Sequence, residues 1–253
     1  MGTGLFDPRR HSQMVDLSII VPAYNEAANL RPLLEELQEL KDFSTEVVVV
    51  DDGSLDGTAA IAETMGVRVI RLATNQGKGM AVREGFRAAR GRYVVQIDAD
   101  RQFLTEEIRR LLEPLRDGAD IVFGSRFIRG ARLTEGSMAW TNRIAHRVIC
   151  WIGWLASGVR VHDVMAGFKA FRRECALGLD LRTPHFGYES EILVRAGQCG
   201  YRVTEVPITF LRRTSGASKV SKLRDGLRVL ATIIGTAWRG WRGPRGERDK
   251  HAG

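Results

Sequence analysis

Between residues 17 and 126 the chain alternates short apolar, β-branched runs with longer stretches of helical period, and this alternation constrains the fold more than any other feature. The runs LSIIVPA (17–23), EVVVV (46–50), VRVIRL (67–72), RYVVQID (92–98) and ADIVFGSR (119–126) read as strands. The stretches 26–40, 56–65, 79–90 and 105–116 between them read as helices. In the first, Leu30, Leu33, Leu34, Leu37 and Leu40 share a face, and Gly91 reads as the stop of the third. Repeated strand–helix–strand units need right-handed crossovers, which predicts an α/β fold with a mostly parallel central sheet and helices on both faces. Ligands of such sheets lie beyond the carboxyl ends of the strands. The segments in that position are PAYNE, DDGS, ATNQGKG, DADRQ and GSR.

After residue 137 the character changes. MAWTNRIAHRVICWIGWLASG puts Trp140, Ile144, Val148, Trp151 and Leu155 on one helical face, with Arg143 and Arg147 elsewhere. AGFKAFRR reads as a strand, YESEILVRAGQCG as a helix, and YRVTEV and ITFLRR as strands. A last helix over 218–241 carries a stripe of Leu223, Leu227, Leu230, Ile234, Trp238 and Trp241, flanked by Arg224, Arg228, Arg239 and Arg242. A membrane span needs roughly 20 apolar residues, so none is expected. Residues 1–15 lack the apolar core of a signal peptide and read as a flexible leader, and 243–253 read as a disordered tail. That leaves one domain over 16–216 and an amphipathic, membrane-associating helix over 217–242.

The formal net charge of +8 calls for an anionic partner. Nucleic acid is not the expected one, because the basic residues border apolar stripes and no nucleic-acid motif is present. Cys150, Cys175 and Cys199 show no CxxC spacing and read as buried thiols of a cytoplasmic protein. The histidines have no zinc-site spacing.

The sharpest chemical signal is VVQIDADRQF (94–103), a buried strand that ends in two carboxylates, Asp98 and Asp100. Residues i and i+2 leaving a strand point the same way, so their charges repel unless a cation lies between them. Oxygen ligands suit Mg²⁺ or Mn²⁺. An EF-hand is excluded, since Phe103 and Arg109 stand where its Gly and Glu belong. A second pair, Asp51 and Asp52, follows the strand at 46–50, and either can accept from a base or ribose. Tyr24 offers a stacking surface, Glu26 an acceptor or a first-turn acid, and NQGKG places Lys78 where it can meet phosphate. That loop is neither a P-loop nor a GxGxxG fingerprint.

The ordered set IIVPAYNEAANL, VVVVDDGSLDGT, NQGKGMAVREGFRAARGRYVVQIDADRQF, GSRF, AGFKAF, YESEILVRA and EVPITFLRRTSGASK resembles glycosyltransferase family 2, and within it the polyprenol-phosphate sugar synthases. The resemblance runs over about 17–235 and implies a GT-A type nucleotide-sugar-binding fold. It implies that Pro22, Tyr24, Glu26, Val50 and Asp52 hold the nucleotide. Asp98, Ala99, Asp100 and Gln102 match its metal and diphosphate-sugar motif, with Asp98, Asp100 and Gln102 on the metal. Arg126, Arg213 and Lys219 match basic positions facing donor diphosphate and acceptor phosphate, and Glu191 matches an acid near the reaction centre, so that Asp100, Arg126 and Glu191 are the expected catalytic residues. The chain departs from the pattern at Arg101, Phe103 and Leu104, at Met165 and Ala166, and at His146, where such enzymes often carry a serine.

The activity so implied is metal-dependent, inverting transfer of a hexose from a nucleotide-diphosphate sugar to a polyprenyl phosphate at the cytoplasmic face of a membrane. GDP-mannose is the favoured donor and UDP-glucose the next. Another acceptor within the same family, or nucleotide-sugar binding without turnover, remains an alternative reading of the sequence.

Overall fold

The computed structural model describes residues 15–40, 42–136, 140–213 and 222–241, with the backbone alone at 140–143, 222–225 and 241. Lys219, residues 1–14 of the expected leader and the expected tail 243–253 lie outside the described residues. The elements run β1 (Leu17–Ala23), α1 (Ala27–Gln38), β2 (Thr45–Asp51), α2 (Thr58–Thr64), β3 (Arg68–Arg71), α3 (Lys78–Ala88), β4 (Tyr93–Gln96), α4 (Ile108–Arg116), β5 (Ile121–Ser125) and β6 (Arg132–Leu133). They continue with α5 (Trp140–Ser157), β7 (Lys169–Arg172), α6 (Arg173–Gly178), α7 (Tyr188–Cys199), β8 (Val203–Pro207), β9 (Thr209–Phe210) and α8 (Lys222–Trp241).

One seven-stranded sheet has the order β3-β2-β1-β4-β7-β5-β8. Pairing is parallel in β1–β2, β1–β4, β2–β3 and β5–β8, and β7 alone runs antiparallel, between β4 and β5. The central strands β1 and β4 are buried along their whole length, as uninterrupted apolar runs require when both faces are covered. The alternating, arginine-bearing β3 takes an edge.

Each face has its own core. Leu30, Leu33, Leu34 and Leu37 of α1 pack with Ile108, Leu111, Leu112 and Leu115 of α4. Val82 and Phe86 of α3 pack with Cys175 of α6 and Ile192, Leu193 and Ala196 of α7 on the other side. A third, smaller cluster seats α8 through Val229 and Ile233 on Val194 of α7, with Ile149 and Ile152 of α5 against it. Among the described residues no helix is long and apolar enough to cross a membrane.

Two expectations change. Gly91 does not stop α3; the helix ends at Ala88, and Ala89 is already extended. Glycine is needed at 91 because the chain there crosses β1, where an added Cβ would meet the Ser18 backbone nitrogen at 2.6 Å and the Leu17 carbonyl carbon at 2.7 Å. The Gly91 N–H donates to Ser18 Oγ at 2.8 Å, and Ser18 Oγ donates to Glu46 at 2.5 Å. The thiols also divide: Cys150 and Cys175 are buried, but Cys199 is exposed at the end of α7.

Gly91→Ala is expected to lower the denaturation midpoint by an amount equivalent to about 1–3 kcal/mol, the usual penalty for overpacking against a fixed backbone. An unchanged urea midpoint would contradict this account of the crossing.

Candidate active site

The carboxyl ends of β1, β2, β4 and β5 share one edge of the sheet, because these four strands run the same way. The antiparallel β7 adds to that edge from the other direction. Its first residue, Lys169, pairs with Gln96 near the end of β4 and with Phe123 of β5. The loop before it, which contains Asp163 and Gly167, is thereby delivered to the same edge.

Asp98 and Asp100 lie just past β4, and each holds a cation. Lys78 Nζ is 2.8 Å from Asp98 Oδ2, and the Arg213 guanidinium donates to Asp100 Oδ2. Asp98 Oδ1 is buried and, among the described residues, has no hydrogen-bond partner. A Cβ on Gly167 would fall 2.2 Å from both Asp98 oxygens, so only glycine leaves this carboxylate its space. Burial raises the Asp100 pKa and the Asp98 charge adds to the rise, while Arg213 opposes it.

Arg101 takes a left-handed backbone, φ 57°, which turns its side chain off the Asp pair and onto Glu36 of α1 at 2.5 Å. Phe103 is buried between Phe168 and Phe210, each with its ring centroid 5.3 Å away. These two unfamiliar residues therefore brace the DADRQ turn from outside. Gln102, expected on the metal, donates its side-chain amide to the Leu211 carbonyl at 2.9 Å, and its own carbonyl accepts the Leu211 N–H at 2.8 Å. It ties the turn to the segment that carries Arg213.

Of the expected nucleotide residues, Pro22, Val50 and Ala99 are buried, and Tyr24 and Glu26 half-buried, at the ends of β1, β2 and β4. Glu26 is the N-cap residue of α1, and its carboxylate accepts from Asn29 at 2.8 Å. Asp52 accepts the backbone amides of Gln76 and Gly77 at 2.7 and 2.9 Å, which shapes the NQGKG loop. Burial raises the Asp52 pKa, against the pull of those two amides.

Arg126, just past β5, sits in a buried fork. Its Nε and Nη2 donate to the two oxygens of Asp163 at 2.6 and 2.9 Å, and its backbone N–H donates to the same carboxylate at 3.0 Å. The guanidinium also lies 4.8 Å from the Phe210 ring centroid. His146 Nε2 meets Asp163 at 3.1 Å from the other side. Burial opposes the charge on His146, yet the Asp163 hydrogen bond prevails and lifts its pKa to about 9. Asp163 resists burial because Arg126 and His146 hold it well below the usual carboxylate range. The site thus presents a buried group of two cations on one anion.

Glu191 is not brought to the Asp pair. Its carboxylate accepts the backbone amides of Arg182 and Thr183 at 3.0 and 2.7 Å and meets Arg239 of α8 at 3.3 Å. The acid that reaches the cluster is Glu189, two residues earlier, whose Oε1 lies 3.4 Å from Lys78 Nζ. It also accepts from the Tyr188 hydroxyl at 3.1 Å, which in turn accepts from Gln96 at 2.6 Å. Sequence reasoning missed Glu189, Asp163 and Lys169. Helical phase was the available signal for Glu189: positions 189 and 191 lie roughly 200° apart around a helix of 3.6 residues per turn.

A family model described as Glycosyl transferase family 2 matches residues 18–177. The chain is 35% identical to the polyprenol monophosphomannose synthase of Mycolicibacterium smegmatis, covering 80% of each chain. It is 34% identical to the undecaprenyl-phosphate mannosyltransferase of Micrococcus luteus, covering 87% of this chain and 92% of that one. Among solved structures it is similar to glucosyl-3-phosphoglycerate synthase from Mycobacterium tuberculosis in complex with Mn²⁺, uridine diphosphate and glucosyl-3-phosphoglycerate, with a TM-score of 0.68, 22% identity, and coverage of 88% of this chain and 80% of that chain. The shared fold is the GT-A type that the sequence led us to expect.

His146 is expected to make stability pH-dependent. Its folded pKa, about 9, stands above the ordinary 6.5, so its contribution is complete below 6.5 and is lost as pH rises through 9. The stability difference between wild type and His146→Gln is expected to be flat below about pH 6 and to shrink steadily toward pH 9. A difference that does not change with pH would contradict a charged His146.

Proposed function

The chain belongs to glycosyl transferase family 2, and we propose that it transfers a hexose from a nucleotide-diphosphate sugar to a polyprenyl phosphate while seated on the cytoplasmic face of a membrane. The observation that carries this reading is the carboxylate pair Asp98 and Asp100 at the carboxyl edge of the sheet, with Lys78, Arg126 and Arg213 gathered round it. The similarity to polyprenyl-phosphate mannosyltransferases supports the acceptor and favours GDP-mannose over UDP-glucose as donor.

Asp98 and Asp100, with the amide oxygen of Gln102, would hold Mg²⁺ or Mn²⁺. The partnerless Asp98 Oδ1, close to the Asp100 carboxylate, fits a hard cation with oxygen ligands. When bound, the ion neutralises charge on the leaving diphosphate. Pro22, Tyr24, Glu26, Val50 and Asp52 form the nucleotide end, and Ala99 lies between the two aspartates. An oxygen of the acceptor phosphate attacks the anomeric carbon; the bond to the diphosphate oxygen breaks, and the nucleoside diphosphate leaves with the electron pair. The second pKa of a phosphate monoester is ~6, so the nucleophile is already ionised at neutral pH and no strong base is needed. The demanding step is bringing two anions together. Arg126, its Nε and Nη2 fixed on Asp163, offers Nη1 to a phosphate oxygen, and Arg213 and Lys219 add charge from the segment after β9. Glu191 acts at a distance, by fixing the Arg182–Thr183 backbone and Arg239 of α8.

The acceptor's lipid chain needs a membrane face, and α5 and α8 supply one. Ile144, Val148, Trp151 and Leu155 on α5 are exposed, as are Leu227, Ile234 and Trp238 on α8, with relative exposures from 48 to 67%. Arg147, Arg228 and Arg239 are exposed on the same two helices. An apolar stripe bordered by arginines lies flat in an anionic interface. These residues belong to the stripes expected from the sequence, of which Leu230 is half-buried and the side chains of Trp140, Leu223 and Trp241 lie outside the described residues.

Three experiments test the proposal. Protein incubated with labelled GDP-mannose, UDP-glucose or UDP-N-acetylglucosamine, polyprenyl phosphate and Mn²⁺ is expected to place label in the lipid extract, most from GDP-mannose. No labelled lipid from any donor would refute the acceptor assignment. Asp100→Asn is expected to lower the rate by about a hundredfold or more. The variant Ile234→Asp/Trp238→Asp is expected to lose sedimentation with anionic liposomes while keeping its melting temperature; unchanged sedimentation would remove the membrane face from the account.

A further inference from the structure

Lys78 is placed between two carboxylates. Its ammonium is 2.8 Å from Asp98 and 3.4 Å from Glu189, and the three side chains are largely buried. Burial works against its charge, but Asp98 outweighs it, with Tyr188 and Glu189 adding to the effect, so Lys78 stays protonated. Its ammonium holds Asp98 Oδ2, one of the two oxygens this carboxylate can offer a divalent ion, while Oδ1 has no partner among the described residues. Removing Asp98 from Lys78 with no second acceptor would strand a buried charge, which is strongly unfavourable.

Glu189 answers that requirement. It is 2% exposed, and the Gln96–Tyr188 hydrogen-bond chain fixes it to the core. Lys169 is fully buried, and its ammonium is anchored on the Ala166 carbonyl. Burial raises the Glu189 pKa, and the nearby Lys169 and Lys78 ammonium groups oppose that rise. Lys78 opens α3 just after Gly77, and four side-chain torsions let its ammonium move between two nearby acceptors without backbone change.

We propose that Glu189 is the second seat of Lys78: arrival of the divalent ion at Asp98 transfers the ammonium from Asp98 to Glu189. Glu189 is then a positioning residue that makes metal entry a cation exchange rather than the stripping of an ion pair. Lys78, once on Glu189, remains beside the donor diphosphate as a further positive charge. The inference rests on the metal-binding role of Asp98 and Asp100 proposed above.

The test measures Mn²⁺ affinity by electron paramagnetic resonance on donor-free protein, without turnover. Lys78→Met is expected to tighten Mn²⁺ binding about tenfold, and Glu189→Gln to weaken it about tenfold, within the usual coupling range of residues in one network. In the Lys78→Met background, Glu189→Gln is expected to change affinity by less than about threefold, because no ammonium needs a seat. Equal weakening in both backgrounds means that Glu189 acts only as a nearby negative charge, and the exchange is wrong. So does a Lys78→Met protein that binds Mn²⁺ no more tightly than wild type, a comparison that stands alone if Glu189→Gln does not fold. Wild-type protein that binds no Mn²⁺ at all overturns the metal reading itself, an outcome distinct from these.

Discussion

Repulsion between Asp98 and Asp100, at the end of a strand buried on both sides, is the constraint around which the carboxyl edge of the sheet is organised. The cations that offset it come from three distant parts of the chain. Lys78 arrives from the start of α3, Arg213 from the segment after β9, and Arg126, its charge also felt at Asp98, from the end of β5. Each is fixed by another polar contact. Asp52 shapes the loop before Lys78, Gln102 clamps Leu211 two residues before Arg213, and Asp163 grips Arg126 by three hydrogen bonds. The inserted antiparallel β7 makes the arrangement possible, since its loop supplies both Asp163 and the Gly167 that leaves Asp98 its space.

Burying so many charges is not a route to stability. Ion pairs taken out of water return little more than they lose, and a broken pair leaves a costly orphan. Asp163 with Arg126 and His146, and Glu189 with Lys78 and Lys169, are groups in which removing one member leaves the others uncompensated. Such groups hold cations ready for anions that arrive later, which is what the proposed transfer between two phosphorylated substrates requires. Arg147, Arg228 and Arg239 add exposed positive charge on α5 and α8.

Much of this was legible in the sequence because period and composition carry it. The parallel strands, the helices on both faces and the two amphipathic stripes followed from spacing, but which side of α5 and α8 stays exposed did not. The direction of β7 did not follow: KAFR reads as a strand either way, and only pairing between β4 and β5 decides its polarity. Gly91 was read as a helix stop because a close approach to the backbone of β1 cannot be seen locally. Glu191 and Glu189 are both buried, and they were separable only by knowing which side of α7 meets Lys78 and which meets the Arg182–Thr183 backbone and Arg239. Arg101 and Phe103 looked like changes in the site, yet they brace its turn, one through α1 and the other through an aromatic cluster formed by residues far apart in sequence.

The central claim is that the Asp98–Asp100 pair is the seat of the metal and the donor diphosphate. Anomalous diffraction from crystals grown with Mn²⁺ and GDP or UDP tests it most directly. The account predicts one strong Mn²⁺ peak within bonding distance of the Asp100 carboxylate, beside density for the diphosphate. A Mn²⁺ peak elsewhere, or nucleotide bound with no metal at this pair, would contradict it.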